Sequence, residues 1–406
     1  MTRKRKFRVL SVAALAVAAW LRNELDWSRV EPENEVNGVS RNRPQDLDVS
    51  VCDDECLWKT GTNGKWIQDW DFARDHGQYH LWPYPHGPSR RTREWKFKPD
   101  ADSPFQWRTS WRWVDSSPGC QVDIMTREKL CSVLTKLGIA RILFYGDSMS
   151  GGMYHALMNK LAEKHGDVSA SAYGTGSFVC GDENEQTTVE VLFERDSGGN
   201  SMPNLPRGVY ELNFRVQRFL ADALEKRVLA IFNIGAHYHN FTHFQEDIEV
   251  LLDTVKEISR HQDLYFFRSV SPAHEGCGSR RVNDTQGERI EPLKSYSEYQ
   301  VSNQHIYDWD SFAHYNHHAM GRINAHNARG RGQPFHYLNI WNMTALRRDG
   351  HNVPKDCLHY IDPGPVDWWN HLLFTYLQRM SQRVHPDDVD EADSVRGNCV
   401  MLRPLP

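Results

Sequence analysis

The chain has 406 residues, 39% of them hydrophobic and 25% charged, with a net charge of −5. That length can bury a large core, the composition excludes wholesale disorder, and the small negative charge excludes a general nucleic-acid binder. From the N-terminus, Thr2-Arg3-Lys4-Arg5-Lys6 is basic, and Val9 to Leu21 is apolar or small apart from Ser11. The apolar run falls short of the roughly 20 residues of a standard membrane span. Residues 1–22 therefore read as a signal peptide or a short signal-anchor, with 7–21 as a possible membrane anchor. Ala16-Val17-Ala18 offers a cleavage site. Residues 23–50 are polar and aperiodic, a stem or linker. Residues 51–136, rich in Trp, Pro, Gly and Arg, predict an irregular lobe of short strands tied by Cys52, Cys56, Cys120 and Cys131.

From residue 137 to 385 strands and helices alternate. Arg141 to Tyr145 is a buried strand, followed by a helix over Met149 to Lys164 with Met149, Met153, Leu157 and Leu161 on one face. Strands are predicted at Val189 to Phe193, Val228 to Asn233, Leu264 to Arg268 and Phe335 to Ile340. Helices are predicted at Phe214 to Lys226, Phe244 to Arg260, His305 to Ala328 and Val366 to Met380. Residues 386–406 form a tail. Repeated β-α units imply a parallel central sheet covered on both faces, an α/β fold in three αβα layers. Ligands of such sheets sit beyond the carboxyl ends of the strands. Ser148, Asn233 and Arg268 would all fall there.

Two short motifs carry the chemistry. Tyr145-Gly146-Asp147-Ser148 closes the first core strand, and Asp356-Cys357-Leu358-His359 stands late in the chain. Ser148 would attack an acyl carbon, His359 would take its proton, and Asp356 would hold the imidazole. A turn uses Gly, Asp and Ser without catalysis, and Asp-x-x-His also suits a capping Asp beside a surface His. The eight cysteines are even in number, and sequons stand at Asn240, Asn283 and Asn342. Both features fit an oxidising, secretory compartment.

The ordered motifs resemble the PC-esterase group of the SGNH (GDSL-like) superfamily, especially its trichome birefringence-like branch. Gly64-Lys65-Trp66-Ile67 and Trp111-Arg112-Trp113 with Cys120 resemble its N-terminal blocks. Phe144 to Ser150, Phe232 to Tyr238, Arg268 to His274, Leu346 to His351 and Asp356 to Asn370 resemble the later ones, over roughly residues 51–380. The resemblance implies an SGNH-like core with an N-terminal lobe and Ser148, Asp356 and His359 as the triad. It implies acetyl transfer onto polysaccharide hydroxyls, usually in the Golgi, through an acyl-serine intermediate. A carbohydrate acetylesterase of the same fold and a non-catalytic glycan-binding protein remain as alternatives. No bound cofactor is expected; acetyl-CoA or an acetylated intermediate would serve as donor co-substrate.

Further oxyanion donors are expected at Ser148, Asn233 and the turn Gly174-Thr175-Gly176. Substrate contacts or supporting roles are expected of Asp147, His237, Arg268, His274, Asp349 and His351. Asp349 and His351 are a rival acid–His pair, read as mainly structural. The histidines at 237, 239 and 243 and at 314, 317 and 318 lack a strong metal-ligand spacing, so no metal is expected. The chain departs from the plant pattern in three places. Gly151 and Gly152 stand where an Arg is usual, Ile361 replaces a second C-terminal cysteine, and the segment after His274 is short. Cys357 is therefore expected to pair elsewhere, with Cys277 proposed. The expected location is the Golgi membrane with a lumenal catalytic domain, or secretion.

Overall fold

The computed structural model describes residues 60–76, 104–117, 119–162, 168–170, 174–182, 186–195, 214–221, 226–258, 260, 262–275, 291–301, 308–330, 333–351 and 356–383. The predicted targeting segment, stem and C-terminal tail lie outside these residues, as does Asn283. Among the described residues no helix is long and apolar enough to cross a membrane.

The core is one seven-stranded sheet. In chain order its strands are β3 (Ile139–Gly146), β4 (Val168–Ala170), β5 (Thr175–Cys180), β6 (Thr187–Arg195), β7 (Arg227–Phe232), β8 (Leu264–Arg268) and β9 (Phe335–Leu338). Their spatial order is β4-β5-β6-β3-β7-β8-β9. The five strands from β6 to β9 run parallel, and β4 and β5 extend one edge antiparallel. Ile142, Leu143 and Phe144 are buried on both faces of the central strand, as a covered parallel strand requires.

After β3 the chain passes through helix α4 (Ser148–Leu161) and the edge hairpin to β6 on one side of β3. It then crosses back and lays down β7, β8 and β9 on the other side. These return crossovers use α5 (Phe214–Ala221), α6 (Phe241–Ile258) and α7 (Phe312–Ala328). Right-handed crossovers in opposite directions put the two helix sets on opposite faces. Helices α3 (Arg127–Lys136) and α9 (Pro365–Arg383) complete the layer containing α4. The direction reverses at β3, so a crevice opens at its carboxyl end.

The predicted elements are present, with shifted ends. The helix read from Met149 starts one residue earlier and stops at Leu161. The helix read from His305 is a short 3-10 turn, Trp309–Ser311, leading into α7. Arg127–Lys136 was assigned to the irregular lobe, but it is a regular helix packed on α9 and β3 with Leu130, Val133 and Leu134 buried. Cys131 in α3 is bonded to Cys180 of β5, so it ties a core helix to the sheet edge and does not tie the lobe. Cys120 and Cys357 are also disulfide-bonded, while Cys277 lies outside the described residues.

The lobe is a hairpin of β1 (Gly64–Gln68) and β2 (Trp111–Asp115), with short helices α1 (Trp70–His76) and α2 (Pro104–Thr109). Trp66 opposes Trp113 across the hairpin and meets Trp368 of α9 edge-on at 5.4 Å. Its indole N–H donates to the Met343 carbonyl at 2.7 Å, in helix α8 (Trp341–Ala345). The Arg347 guanidinium lies 4.5 Å over the same indole and donates to the Arg108 carbonyl at 2.5 Å. The lobe is thus keyed to the loop that follows β9.

Candidate active site

Strand β3 ends at Gly146, where a side chain would not fit. A β-carbon there would lie 2.3 Å from the Asn233 carbonyl oxygen and 2.6 Å from Ser150 Oγ. Asp147 then caps α4, its Oδ1 accepting from the Met149 N–H at 2.8 Å and from Ser150 N–H at 3.4 Å. Strand exit and cap together set Ser148 at the first position of the helix, half-buried beside the crevice.

The loop before α9 brings up the other two groups. Asp356 Oδ1 accepts from the backbone N–H of Leu358 at 3.1 Å and of His359 at 2.9 Å. That turn leaves Asp356 Oδ2 2.6 Å from His359 Nδ1. His359 Nε2 lies 2.6 Å from Ser148 Oγ. Burial pushes the Asp356 carboxyl up, but bonds and charge from His359, and the two backbone N–H groups, hold it down at about 2. An ionised Asp356 accepts from Nδ1, which leaves Nε2 as the acceptor for the serine proton.

Beneath the serine the support is buried. Arg268 is wholly buried, donating to Ser150 Oγ at 3.2 Å and to the Ser269 carbonyl at 2.9 Å. It lies 3.7 Å from Asp147 Oδ1 and 5.0 Å over the Trp369 ring. Burial lowers its pKa to about 10, with Asp147 opposing. Arg268 holds the nucleophile turn from below and has no surface for a substrate contact.

Two further expectations change, and for three residues the supporting role is the one observed. Asn233 is also wholly buried, and its amide donates to the Arg268 carbonyl at 2.9 Å. It ties the ends of β7 and β8 where an oxyanion donor was expected. Gly174-Thr175-Gly176 is no tight turn: Gly174 accepts from the Phe193 N–H at 2.6 Å, and Thr175 begins β5. His274, Asp349 and His351 are buried away from substrate. His274 Nδ1 lies 2.7 Å from His351 Nε2, and His274 Nε2 lies 2.7 Å from the Ala345 carbonyl oxygen. His351 Nδ1 lies 3.1 Å from the His359 carbonyl oxygen, so this pair backs the loop carrying His359. Burial lowers the His274 pKa to about 4 and that of His351 well below the usual range. Asp349 takes both bonds of the Arg347 fork, at 2.8 and 3.0 Å.

His237 is the expected site residue that stays near the crevice. Burial lowers its pKa, Asp147 raises it, and Arg195 and His359 lower it, which places it within the electrostatic reach of the triad. Reading the sequence missed Ser150, Arg347 and Trp369 as supports. All three lie inside the motif blocks, but each also has a partner far away in the chain: Arg268 for Ser150 and Trp369, and Arg108 and Trp66 for Arg347. His314 and His318 pack on the Phe241 ring at 4.0 and 5.3 Å, and among the described residues no cluster is arranged to hold a metal ion. Asn240 is exposed at the start of α6, with Oδ1 accepting from Thr242 N–H at 2.7 Å. Asn342 instead donates to the Thr62 carbonyl at 2.7 Å, and Thr344 of its sequon is fully buried, which argues against a glycan there.

Residues 233–376 match the PC-Esterase model, a GDSL/SGNH-like acyl-esterase family found in Pmr5 and Cas1p. Over that segment the chain is similar to the PC-esterase family. The matched segment holds Asp356 and His359 and begins after Ser148. The chain is 25% identical over 328 residues to Protein trichome birefringence-like 9 of Arabidopsis thaliana, covering 67% of this chain and 73% of that protein. A shorter stretch of 58 residues is 36% identical to Xyloglucan O-acetyltransferase 1 of the same plant, covering 10% of this chain and 14% of that protein. The mostly parallel sheet with its crevice at β3 is the architecture that the resemblance implied.

Proposed function

We propose that this protein is a PC-esterase-like, serine-dependent O-acetyltransferase acting on hydroxyl groups of a polysaccharide. The observation that carries the reading is the continuous hydrogen-bonded line from Ser148 Oγ through His359 to Asp356. Ser148 Oγ attacks the acetyl carbonyl of the donor while His359 Nε2 takes the hydroxyl proton. The tetrahedral oxyanion is met by the Ser148 N–H at the start of α4, where the helix dipole favours negative charge. Collapse expels the donor's leaving group, which receives the proton from His359 and leaves acetyl-Ser148. A sugar hydroxyl then gives its proton to His359, attacks the acetyl carbon and departs as the acetyl ester, and Ser148 regains its proton. Water in place of the sugar would make the same protein an acetylesterase. The similarity to Xyloglucan O-acetyltransferase 1, named for transfer to a sugar polymer, favours the sugar.

The donor is an activated acetyl ester or thioester, and acetyl-CoA fits that class. We place the catalytic domain in the lumen of the secretory pathway, in the Golgi membrane as a type II protein, or secreted. The bonded Cys131, Cys180, Cys120 and Cys357 support an oxidising compartment. Mass spectrometry of the protein after incubation with the donor, wild type against Ser148→Ala, tests the reading. Acetyl on Ser148 that moves to an oligosaccharide is the expected result. Loss to water alone would make it an esterase, and no Ser148-dependent adduct or turnover would remove the enzymatic reading.

A further inference from the structure

Beyond the triad crevice, the same end of the sheet carries a second concavity. A cavity of about 790 Å³ opens where β9 ends, floored by Asn339, Trp341 and Asn342. Its far wall is lobe, from Asn63 and Trp113, and its rim is Lys294 to Tyr296. Trp341 also lines a smaller neighbouring cavity of about 380 Å³, with Tyr299, Trp309 and Asp310. Ala313, exposed near the start of α7, lines both.

The aromatic partition between the two is held by specific bonds. Trp341 Nε1 donates to Tyr296 Oη at 2.7 Å. Tyr296 stacks on Tyr299 at 5.9 Å, and Tyr299 meets Trp341 edge-on at 5.7 Å. Tyr296 is nevertheless 47% exposed, the one large hydrophobic side chain presented to solvent among the described residues. A ring fixed at its hydroxyl and open on its surface is preorganised for a ligand. Around it stand amides and one imidazole, among them Asn63, Asn339, Asn342 and His317, with Lys294 as the single fixed charge that the described residues give the larger cavity. Among the described residues no carboxylate lines that cavity. Apolar ring faces interleaved with neutral donors and acceptors match an uncharged polyhydroxylated ligand, whose C–H faces stack while its hydroxyls bond.

We propose that this paired cavity is a carbohydrate subsite that holds the acceptor polymer away from the reacting hydroxyl. The inference rests on the reading that the acceptor is a glycan. Strand β9 is three places from β3 in the sheet, so the subsite lies on the order of 14 Å from the Ser148 side across the strand ends. A chain of several sugars spans that interval and a disaccharide does not. The site therefore selects for acceptor length, and binding energy gathered there positions the hydroxyl at acetyl-Ser148.

The test uses the full chain carrying Ser148→Ala, so that binding is read without turnover. Neutral hexasaccharides, xyloglucan-derived ones included, are titrated by tryptophan fluorescence and by saturation-transfer NMR. Tyr296→Ala removes the exposed ring, and Ala313→Arg fills the groove from an exposed helix position. Each is expected to weaken hexasaccharide binding about tenfold, the value of roughly one lost aromatic contact. In the Ser148 enzyme the same changes raise KM for the hexasaccharide far more than for a disaccharide. Unchanged affinity in both folded variants, equal KM effects on long and short acceptors, or no saturable binding overturns the subsite. Variant-sensitive binding without any acetyl transfer would leave the subsite standing and remove the transferase reading. Transfer that is insensitive to both variants would remove the subsite alone.

Discussion

At the scale of single residues, the triad differs from its supports by accessibility. Ser148, His359 and Asp356 are half-exposed, whereas Arg268, His274, Asp349 and His351 are buried. Ser148 and His359 open on the crevice with Asp356 behind the imidazole, while Arg268 bonds the serine turn and His351 backs the His359 loop. Asp356→Asn should lower kcat by about 10³–10⁴-fold without loss of fold, because the amide favours the wrong imidazole tautomer; steady-state kinetics beside a thermal melt checks both halves. The Asp356 carboxyl sits at about 2, below an unfolded value of about 3.9. Its contribution to stability is therefore complete above pH ~4 and lost as pH falls through ~2. Denaturation midpoints of wild type and Asp356→Asn should differ at neutral pH and converge across that acid window. Gly146→Ala places a methyl 2.3 Å from the Asn233 carbonyl oxygen and should cost about 1–3 kcal/mol, read from urea unfolding. The motif Gly-Asp-Ser shows that glycine, but only the neighbouring β7 shows why it is needed.

At the scale of elements, apolar patterning was a sound guide wherever an element was long and regular. Strand β3 and helix α4 were legible because both bury apolar residues in a period their backbone sets. Their ends were less legible, since caps decide them: Asp147 starts α4 by bonding the Met149 N–H. The antiparallel pair β4–β5 is not legible in the sequence, because glycines at and before the start of β5 resemble turn residues. Pairing of Cys131 was also beyond sequence, as even cysteine counts leave the connectivity open. Its bond to Cys180 closes a separation of 49 residues, which the chain-entropy estimate values at about 4 kcal/mol. The double variant Cys131→Ala/Cys180→Ala should lose about 2–4 kcal/mol in denaturant unfolding while leaving the triad distances intact, so kcat at low temperature should hold.

At the scale of the whole molecule, the lobe and the core meet through Arg347. Its guanidinium bonds Asp349, donates to the Arg108 carbonyl and covers Trp66. Arg347→Met would strand a buried Asp349 carboxylate and release the lobe, a loss of about 3–5 kcal/mol. Faster proteolysis within residues 60–117, together with a lower unfolding midpoint, is the expected outcome. The sequence by itself determined the α/β class, the places of the parallel strands along the chain and the candidate triad; the order of the strands in the sheet came from the fold. The first three follow from periodicity along the chain and from residue types whose chemistry is local. Only the tertiary structure decided which polar groups face the crevice and which are buried beneath it. Arg268, Asn233 and His274 stand in motif blocks as prominent as that of Ser148, yet each has a hydrogen bond to another block: Arg268 to Ser150, Asn233 to the Arg268 carbonyl and His274 to His351. Burial and partner choice are properties of packing between distant segments, and no local pattern encodes them.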